Sequence, residues 1–271
     1  MRAPPQLRRP AAPEPDARLR DNFAWRYYYS GEFGFSRQAV QHLRHHRIEW
    51  AVHLLRAAGP LSSHSLLVDV GCGPGESTVV VNRELGPFDR VVGLDVSPLL
   101  GPLCVAMAHA NGAPARYLRG TCLALPVRDG SAALVVSFEM VEHVPAWIEF
   151  LREARRALEP GGLILVSTPH ARGFHALLKG PYRWVRGFER LSRAHRKDGE
   201  FYERFIPGRE LVTGFASAGL RVLDVVRGCH TLTVTPIGLF AMNAAVERAL
   251  EGADILSAAA VTVFVVAQKP A

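Results

Sequence analysis

Two groups of residues have the types and spacing to do chemistry. The first is Val68-Asp69-Val70-Gly71-Cys72-Gly73-Pro74-Gly75-Glu76, a glycine-rich turn closing a short apolar run. Glycines at such a turn let the backbone approach a ligand closely. The turn lacks the Gly-Lys-Ser/Thr ending of a phosphate-binding loop, and it reads Gly-x-Gly-x-Gly, not Gly-x-Gly-x-x-Gly. It also carries Asp69 two residues before its first glycine, where a carboxylate repels a pyrophosphate and suits a cation. About twenty residues further on, Gly93-Leu94-Asp95 closes a second apolar run. An acid at that distance accepts hydrogen bonds from both ribose hydroxyls of a nucleoside. A nucleoside ligand that lacks phosphate and carries positive charge describes S-adenosylmethionine.

The second group is Glu139, Glu142 and His143, just past the apolar run Ala132–Phe138. In an open α/β sheet the substrate lies beyond the carboxyl ends of the strands, so these residues are correctly placed to act on it. Methyl transfer from a sulfonium is a direct displacement. A protein that catalyses it must hold the nucleophile in line and, for a hydroxyl, remove its proton. An imidazole titrates near neutrality, which makes His143 the natural base with Glu142 beside it. The alternative is that Glu139 packs beside the cofactor while Glu142 and His143 only shape the turn before Pro145. The spacing i, i+3, i+4 adds a second alternative: on one helical turn the three side chains would share a face and could hold a divalent cation. Metal binding is the less favoured reading. A further metal candidate, the helix bearing His42, His45, His46, His53 and Glu49, is disfavoured too, because Arg44 and Arg47 interleave with the histidines.

Elements that could position these groups alternate along the chain. Residues 38–58 carry a helical apolar stripe stopped at Ala58-Gly59-Pro60. Strands are expected at Ser65–Val70, Arg90–Asp95, Ala115–Leu118, Ala132–Phe138, Leu163–Ser167, Arg221–Val226 and Ala260–Gln268. Helices are expected at Glu76–Leu85, from Ser97-Pro98 (N-cap and first helical position) to Ala110, at Trp147–Leu158 ended by Glu159-Pro160-Gly161-Gly162, at Arg209–Ala218 and near 236–251. Near-continuous apolar strands between helices argue for a parallel sheet covered on both faces.

Five segments, in order, resemble the class I S-adenosylmethionine-dependent methyltransferases from about Leu66 to Gln268. They are Leu67 to Gly75, Val92 to Ser97, Leu125-Pro126 with Asp129-Gly130-Ser131, Val136 to Val144, and Leu158 to Ile164. The resemblance implies a Rossmann-like α/β fold: a seven-stranded, mostly parallel sheet with a reversed last strand, helices on both faces, and a helical insertion between strands five and six. It implies that Asp69, Gly71, Gly73 and Gly75 line the methionine end of the cofactor and that Asp95 holds the ribose. Cys72, Val96, Cys122 and Glu139 join the cofactor-lining set. The family often has an Asp after the third strand for the adenine amino group. This chain has Thr121 there, a weaker substitute. Glu-x-x-Glu-His also looks like the metal-binding segment of small-RNA 2′-O-methyltransferases and of ubiquinone-biosynthesis O-methyltransferases. The former supply a further His before the sixth strand, where this chain has Asp198 to Pro207 with none. Glu200 could stand in.

Composition sets the remaining bounds. Of 271 residues, 48% are hydrophobic and 21% charged, which suits a globular domain with an ample core. Cys72, Cys104, Cys122 and Cys229 show no C-x-x-C spacing, so a reducing compartment, the cytoplasm, is expected. The first 20 residues hold no apolar run of the kind that opens a secretory signal. The net charge of +7 is uneven: residues 1–20 hold +3, residues 171–197 hold +7, and the rest sum to −3. A nucleic-acid-coating protein is disfavoured on that distribution. The chain divides into a Pro-rich basic tail (1–20), an aromatic segment and helix (21–60), and a methyltransferase domain (61–271) with a basic insertion at about 170–204. Phe23, Trp25, Tyr27, Tyr28, Tyr29, Phe33 and Phe35 either pack on the core or form a lid over an apolar substrate. In residues 181–195, Trp184, Val185, Phe188 and Leu191 recur at helical spacing beside Arg183, Arg186, Arg190 and Arg193. That pattern suits a peripheral membrane contact or a solvated lid helix. The expected activity is methyl transfer from S-adenosylmethionine to a hydroxyl of a small lipophilic or anionic acceptor. A metal-assisted RNA 2′-O-methyltransferase and a non-catalytic cofactor-binding partner subunit are the competing readings.

Overall fold

The computed structural model describes residues 37–171, 203–229 and 260–271, together with Leu7. The elements are α1 (Arg37–Ala57), β1 (Leu66–Val70), α2 (Glu76–Leu85), β2 (Arg90–Asp95), α3 (Gly101–Ala110), β3 (Arg116–Arg119) and β4 (Ala132–Phe138). A 3-10 turn (Val141–His143) follows, then α4 (Trp147–Ala157), β5 (Leu158–Pro169), α5 (Gly208–Ser217), β6 (Arg221–Gly228) and β7 (Thr262–Gln268). The aromatic cluster at 23–35, the basic stretch 181–195 and the helical expectation near 236–251 lie outside the described residues, as does the tail apart from Leu7. Leu7 is half-buried against the packing between α2 and α3.

Seven strands form one sheet in the order β3-β2-β1-β4-β5-β7-β6. β1 to β5 pair in parallel, and β7 runs antiparallel to both β5 and β6. The reversed last strand is therefore present. Alternation along the strands assigns the two faces. Val68, Val70, Val135, Ile164 and Val265 pack with Trp147 and Phe150 of α4 and Leu211 and Phe215 of α5. Leu67, Leu134, Val136, Leu165 and Phe264 pack with Ile48, Val52 and Leu55 of α1 and Val80 and Val81 of α2. Every residue of β1 is buried, as a strand covered on both faces requires.

Two boundaries differ from the expectations by more than two residues. Helix α3 begins at Gly101, not after Ser97. A start at Ser97 would have placed Pro102 in the helix interior, where its missing N–H breaks the ladder. Starting at Gly101 puts it in the first turn, where no donor is needed. Ser97 Oγ instead accepts the Leu99 N–H at 3.3 Å. The Glu159-Pro160-Gly161-Gly162 run, expected only to end a helix, is the first part of β5. It forms an irregularity between the pairs Ala132↔Leu158 and Leu134↔Leu163, and Gly161 there has φ +79°. Backbone bonds from Gly161 N to Lys269 O and from Lys269 N to Gly162 O, 3.0 Å each, fasten it beside the end of β7.

Candidate active site

The glycine loop leaves the carboxyl end of β1 and is pinned to β2, with Gly71 N and Cys72 N donating to Leu94 O at 2.7 and 3.1 Å. Gly71, Gly73 and Gly75 all have positive φ (75°, 53° and 86°). Two of them also allow close approach: a Cβ on Gly71 would lie 2.7 Å from Met140 Cγ, and one on Gly75 would lie 2.8 Å from Cys104 Sγ. Only glycine meets both demands. Asp69 is fully buried beneath this loop. Its Oδ2 accepts the hydroxyls of Ser77 (2.6 Å) and Thr78 (2.7 Å) from the first turn of α2. Its Oδ1 is buried with no hydrogen-bond partner among the described residues. Burial pushes its pKa up to about 6, against the two hydroxyls, which pull it down. Asp69 thus braces the loop-to-helix junction with one oxygen and leaves the other an unsatisfied acceptor among the described residues. Sequence reasoning missed the first role.

Asp95, at the carboxyl end of β2, reaches the same loop. Its Oδ2 accepts Gly73 N–H at 3.0 Å and its Oδ1 accepts Ser97 N–H at 2.9 Å. Each oxygen retains a lone pair, which suits a pair of hydroxyls. Burial raises its pKa, against the backbone donors that lower it. Val96 beside it is exposed, at 66% of its surface. Cys122 is buried, whereas Thr121 is exposed and accepts the Leu123 N–H at 3.2 Å. The residues expected to line the cofactor's methionine and ribose ends therefore converge on one loop. The unpaired Asp69 oxygen, the glycine cradle and the Asp95 carboxylate fit a cationic nucleoside.

Beyond β4 the chain does not continue as one α-helical turn. Glu139 takes a left-handed conformation (φ 49°), and a 3-10 turn of three residues follows. The condition under which Glu139, Glu142 and His143 would share one α-helical face, the less favoured alternative, is therefore not met. Glu139 Oε1 accepts Ser167 Oγ at 3.1 Å, and Oε2 lies 3.3 Å from Arg47 Nη2. Glu142 is buried, with Oε2 accepting Thr168 Oγ1 at 3.0 Å and Oε1 at 3.8 Å from His143 Nε2. Burial raises the pKa of both carboxyls, Glu142 well above the usual range, with Glu139 adding to the effect on Glu142 and Arg47 opposing it on both. His143 keeps about a third of its side chain exposed. Among the described residues, no three His, Cys, Asp or Glu side chains are arranged to hold a metal ion. His45 and His46 of α1 face Glu49, at 3.4 and 3.8 Å, and their hydrogen bonds hold its pKa down to about 2.

Two residues at this end of the sheet escaped the sequence reading. Arg47 reaches Glu139 and also donates from Nε to Thr262 Oγ1 at 3.2 Å. Contacts across 92 and 215 positions leave no trace in local spacing. His170, just past β5, is buried with Nδ1 3.2 Å from Ala260 O. Its position at a strand's carboxyl end was the available signal.

Residues 41–225 match the family described as Methyltransferase domain. A ubiquinone biosynthesis O-methyltransferase of Methylobacterium sp. is 36% identical over 162 residues, 58% of this chain and 60% of that protein. A demethylmenaquinone methyltransferase of Lactococcus lactis is 29% identical over 123 residues, 45% of this chain and 48% of that one. The chain thus spans about half to three fifths of the length of these two curated relatives. Among solved structures, the geranyl diphosphate C-methyltransferase of Streptomyces coelicolor aligns with a TM-score of 0.59 at 19% identity, covering 85% of this chain and 80% of that one. The cyclase SpnF aligns at 0.53 and 20% identity, covering 81% and 80%. These structures share the fold, and the cyclase shows why fold alone does not name the chemistry. With the matched family spanning the loop, Asp95 and the segment after β4, the chain belongs to the S-adenosylmethionine-dependent methyltransferases.

Proposed function

We propose that this protein transfers a methyl group from S-adenosylmethionine to a hydroxyl of a small lipophilic acceptor of the quinone-precursor type. The observation that carries the hydroxyl assignment is the Glu142–His143 arrangement: a buried carboxyl, held by Thr168, beside a part-exposed imidazole beyond the sheet. The relatives named for ubiquinone biosynthesis support the acceptor class. When bound, the cofactor supplies an electrophilic methyl on sulfur. Asp69 offers its unpaired oxygen to the cofactor's cationic end, and Asp95 takes the ribose hydroxyls. His143 accepts the acceptor's hydroxyl proton as the oxygen–methyl bond forms and the carbon–sulfur bond breaks, and the sulfur keeps the electron pair. Glu142 Oε1 lies 3.8 Å from His143 Nε2, so positive charge arriving on the imidazole favours ionisation of this carboxyl, and the two groups pair as charges only once the acceptor's proton has moved.

The test is transfer of tritiated methyl to a prenylated catechol, a demethylated prenylquinone and bulk RNA, each with and without a chelator. Label on the catechol oxygen, insensitive to chelator, is expected. Label only on a ring carbon or on RNA overturns the hydroxyl or the small-molecule assignment, and chelator sensitivity overturns metal-free proton removal.

A further inference from the structure

Helix α1 presents two arginines, one turn apart, to two carboxylates that flank the glycine loop. Arg44 Nη1 lies 2.9 Å from Glu76 Oε2, and Arg47 Nη2 lies 3.3 Å from Glu139 Oε2. All four side chains are at most one-fifth exposed, so neither pair is an ordinary surface contact. Glu76 is the first residue of α2 and directly follows Gly75. Glu139 is a non-glycine residue at φ 49°, a conformation that costs energy unless its surroundings fix it. The left-handed turn at Glu139 directs the next residue, Met140, onto Gly71, where a Cβ would meet Met140 Cγ at 2.7 Å. One arginine therefore reaches the downstream end of the loop through Glu76. The other reaches its upstream end through Glu139 and Met140.

We infer that Arg44 and Arg47 of α1 form a clamp that holds the cofactor loop in its binding conformation, acting through Glu76 and through the left-handed turn at Glu139. They are positioning residues. The inference rests on the assignment of the loop to S-adenosylmethionine and adds the device that shapes it. Arg47 could instead touch the cofactor directly, and a cycle of substitutions separates the two. If it acts through Glu139, Glu139→Gln reproduces the loss caused by Arg47→Met, and the double variant loses no more than either. If it touches the ligand, Glu139→Gln leaves affinity unchanged or improved.

The experiment titrates S-adenosylhomocysteine into the full-length protein by calorimetry and follows amide exchange of residues 71–76 without ligand. Arg47→Met and Glu139→Gln are each expected to weaken binding about tenfold and to speed loop exchange, with the double variant equal to either single. Arg44→Met and Glu76→Gln are expected to behave as a second such pair. Glu139→Gly in the Arg47→Met background keeps the left-handed turn without the ion pair, and is expected to recover affinity to within about threefold of wild type. Arg47→Lys retains the charge and serves as the conservative control for folding. Additive losses, or binding by Glu139→Gln as tight as wild type, overturn the clamp. A wild type that does not bind S-adenosylhomocysteine overturns the cofactor assignment and the clamp with it; binding by the wild type with no loss in any variant overturns the clamp alone.

Discussion

Asp69 is a carboxylate kept where it is costly. Its pKa is raised from 3.8 to about 6 by burial, so the folded state holds a proton more firmly than the unfolded chain. Below about pH 4 both states are protonated and nothing is lost. Between there and about pH 6 stability falls as pH rises, and above about 6 the penalty is complete at ~3 kcal/mol. Asp69→Asn is therefore expected to raise the melting temperature of the ligand-free protein at pH 7.5, with the advantage gone near pH 4. The α-ammonium at the ligand's methionine end, which S-adenosylhomocysteine keeps although it lacks the sulfonium, favours the ionised form, so S-adenosylhomocysteine affinity of the wild type should weaken as pH falls through about 6. The Asn variant should bind weakly at every pH; unchanged affinity would remove Asp69 from the site. At the other end of the site, His143→Ala is expected to lower turnover by about 10²- to 10⁴-fold while leaving cofactor affinity intact. That Asp69, Asp95, Glu142 and His143 stand at or just past the carboxyl ends of β1, β2 and β4 was legible from their offsets from apolar runs. Ser77, Thr78 and Arg47 were not, since partnership with a buried oxygen depends on helix phase and on contacts far apart in sequence.

Elements were legible where burial dictates sequence. β1, β4 and β7 are buried almost throughout and read as nearly continuous apolar runs, broken only by Asp69 in β1, Ser137 in β4 and the terminal Thr262 and Gln268 of β7. The misplaced start of α3 and the Glu-Pro-Gly-Gly segment of β5 were decided by competing local rules, a proline's missing donor and a pleat irregularity, that spacing alone does not rank. The α4–α5 contact gives a test of packing at this scale. A Cβ on Gly214 of α5 would lie 2.1 Å from Trp147 Cη2 of α4, closer than any real contact. Alanine in a helix interior is ordinarily better than glycine by about 1 kcal/mol. Here the overlap wins, because the ring it would displace is almost wholly buried. Gly214→Ala is expected to destabilise the protein by about 1–3 kcal/mol in chemical denaturation, with S-adenosylhomocysteine affinity within about twofold of wild type. A stabilised variant would mean that α4 and α5 pack less tightly than described.

Over the whole molecule, the charge is divided between parts with different tasks. The body that holds Asp69 and Asp95 belongs to the 224 residues summing to −3, while residues 171–197 hold +7. A mildly acidic body suits a sulfonium ligand, so the basic character is left to serve something else. No helix among the described residues is long and apolar enough to cross a membrane. We propose that residues 181–195, which lie outside the described residues, bring the protein to an anionic lipid surface, where a lipophilic acceptor would be found. Each basic side chain near such a surface contributes about 1 kcal/mol, and the attraction falls off within a Debye length, about 8 Å at physiological salt. The protein is therefore expected to co-sediment with vesicles containing anionic lipid, weakly or not at all with neutral ones, and to be released as salt is raised. Replacing Arg183, Arg186, Arg190 and Arg193 with Glu should abolish sedimentation while S-adenosylhomocysteine still binds. If those substitutions leave vesicle binding intact, or if the wild type ignores lipid charge, the insertion serves the acceptor alone.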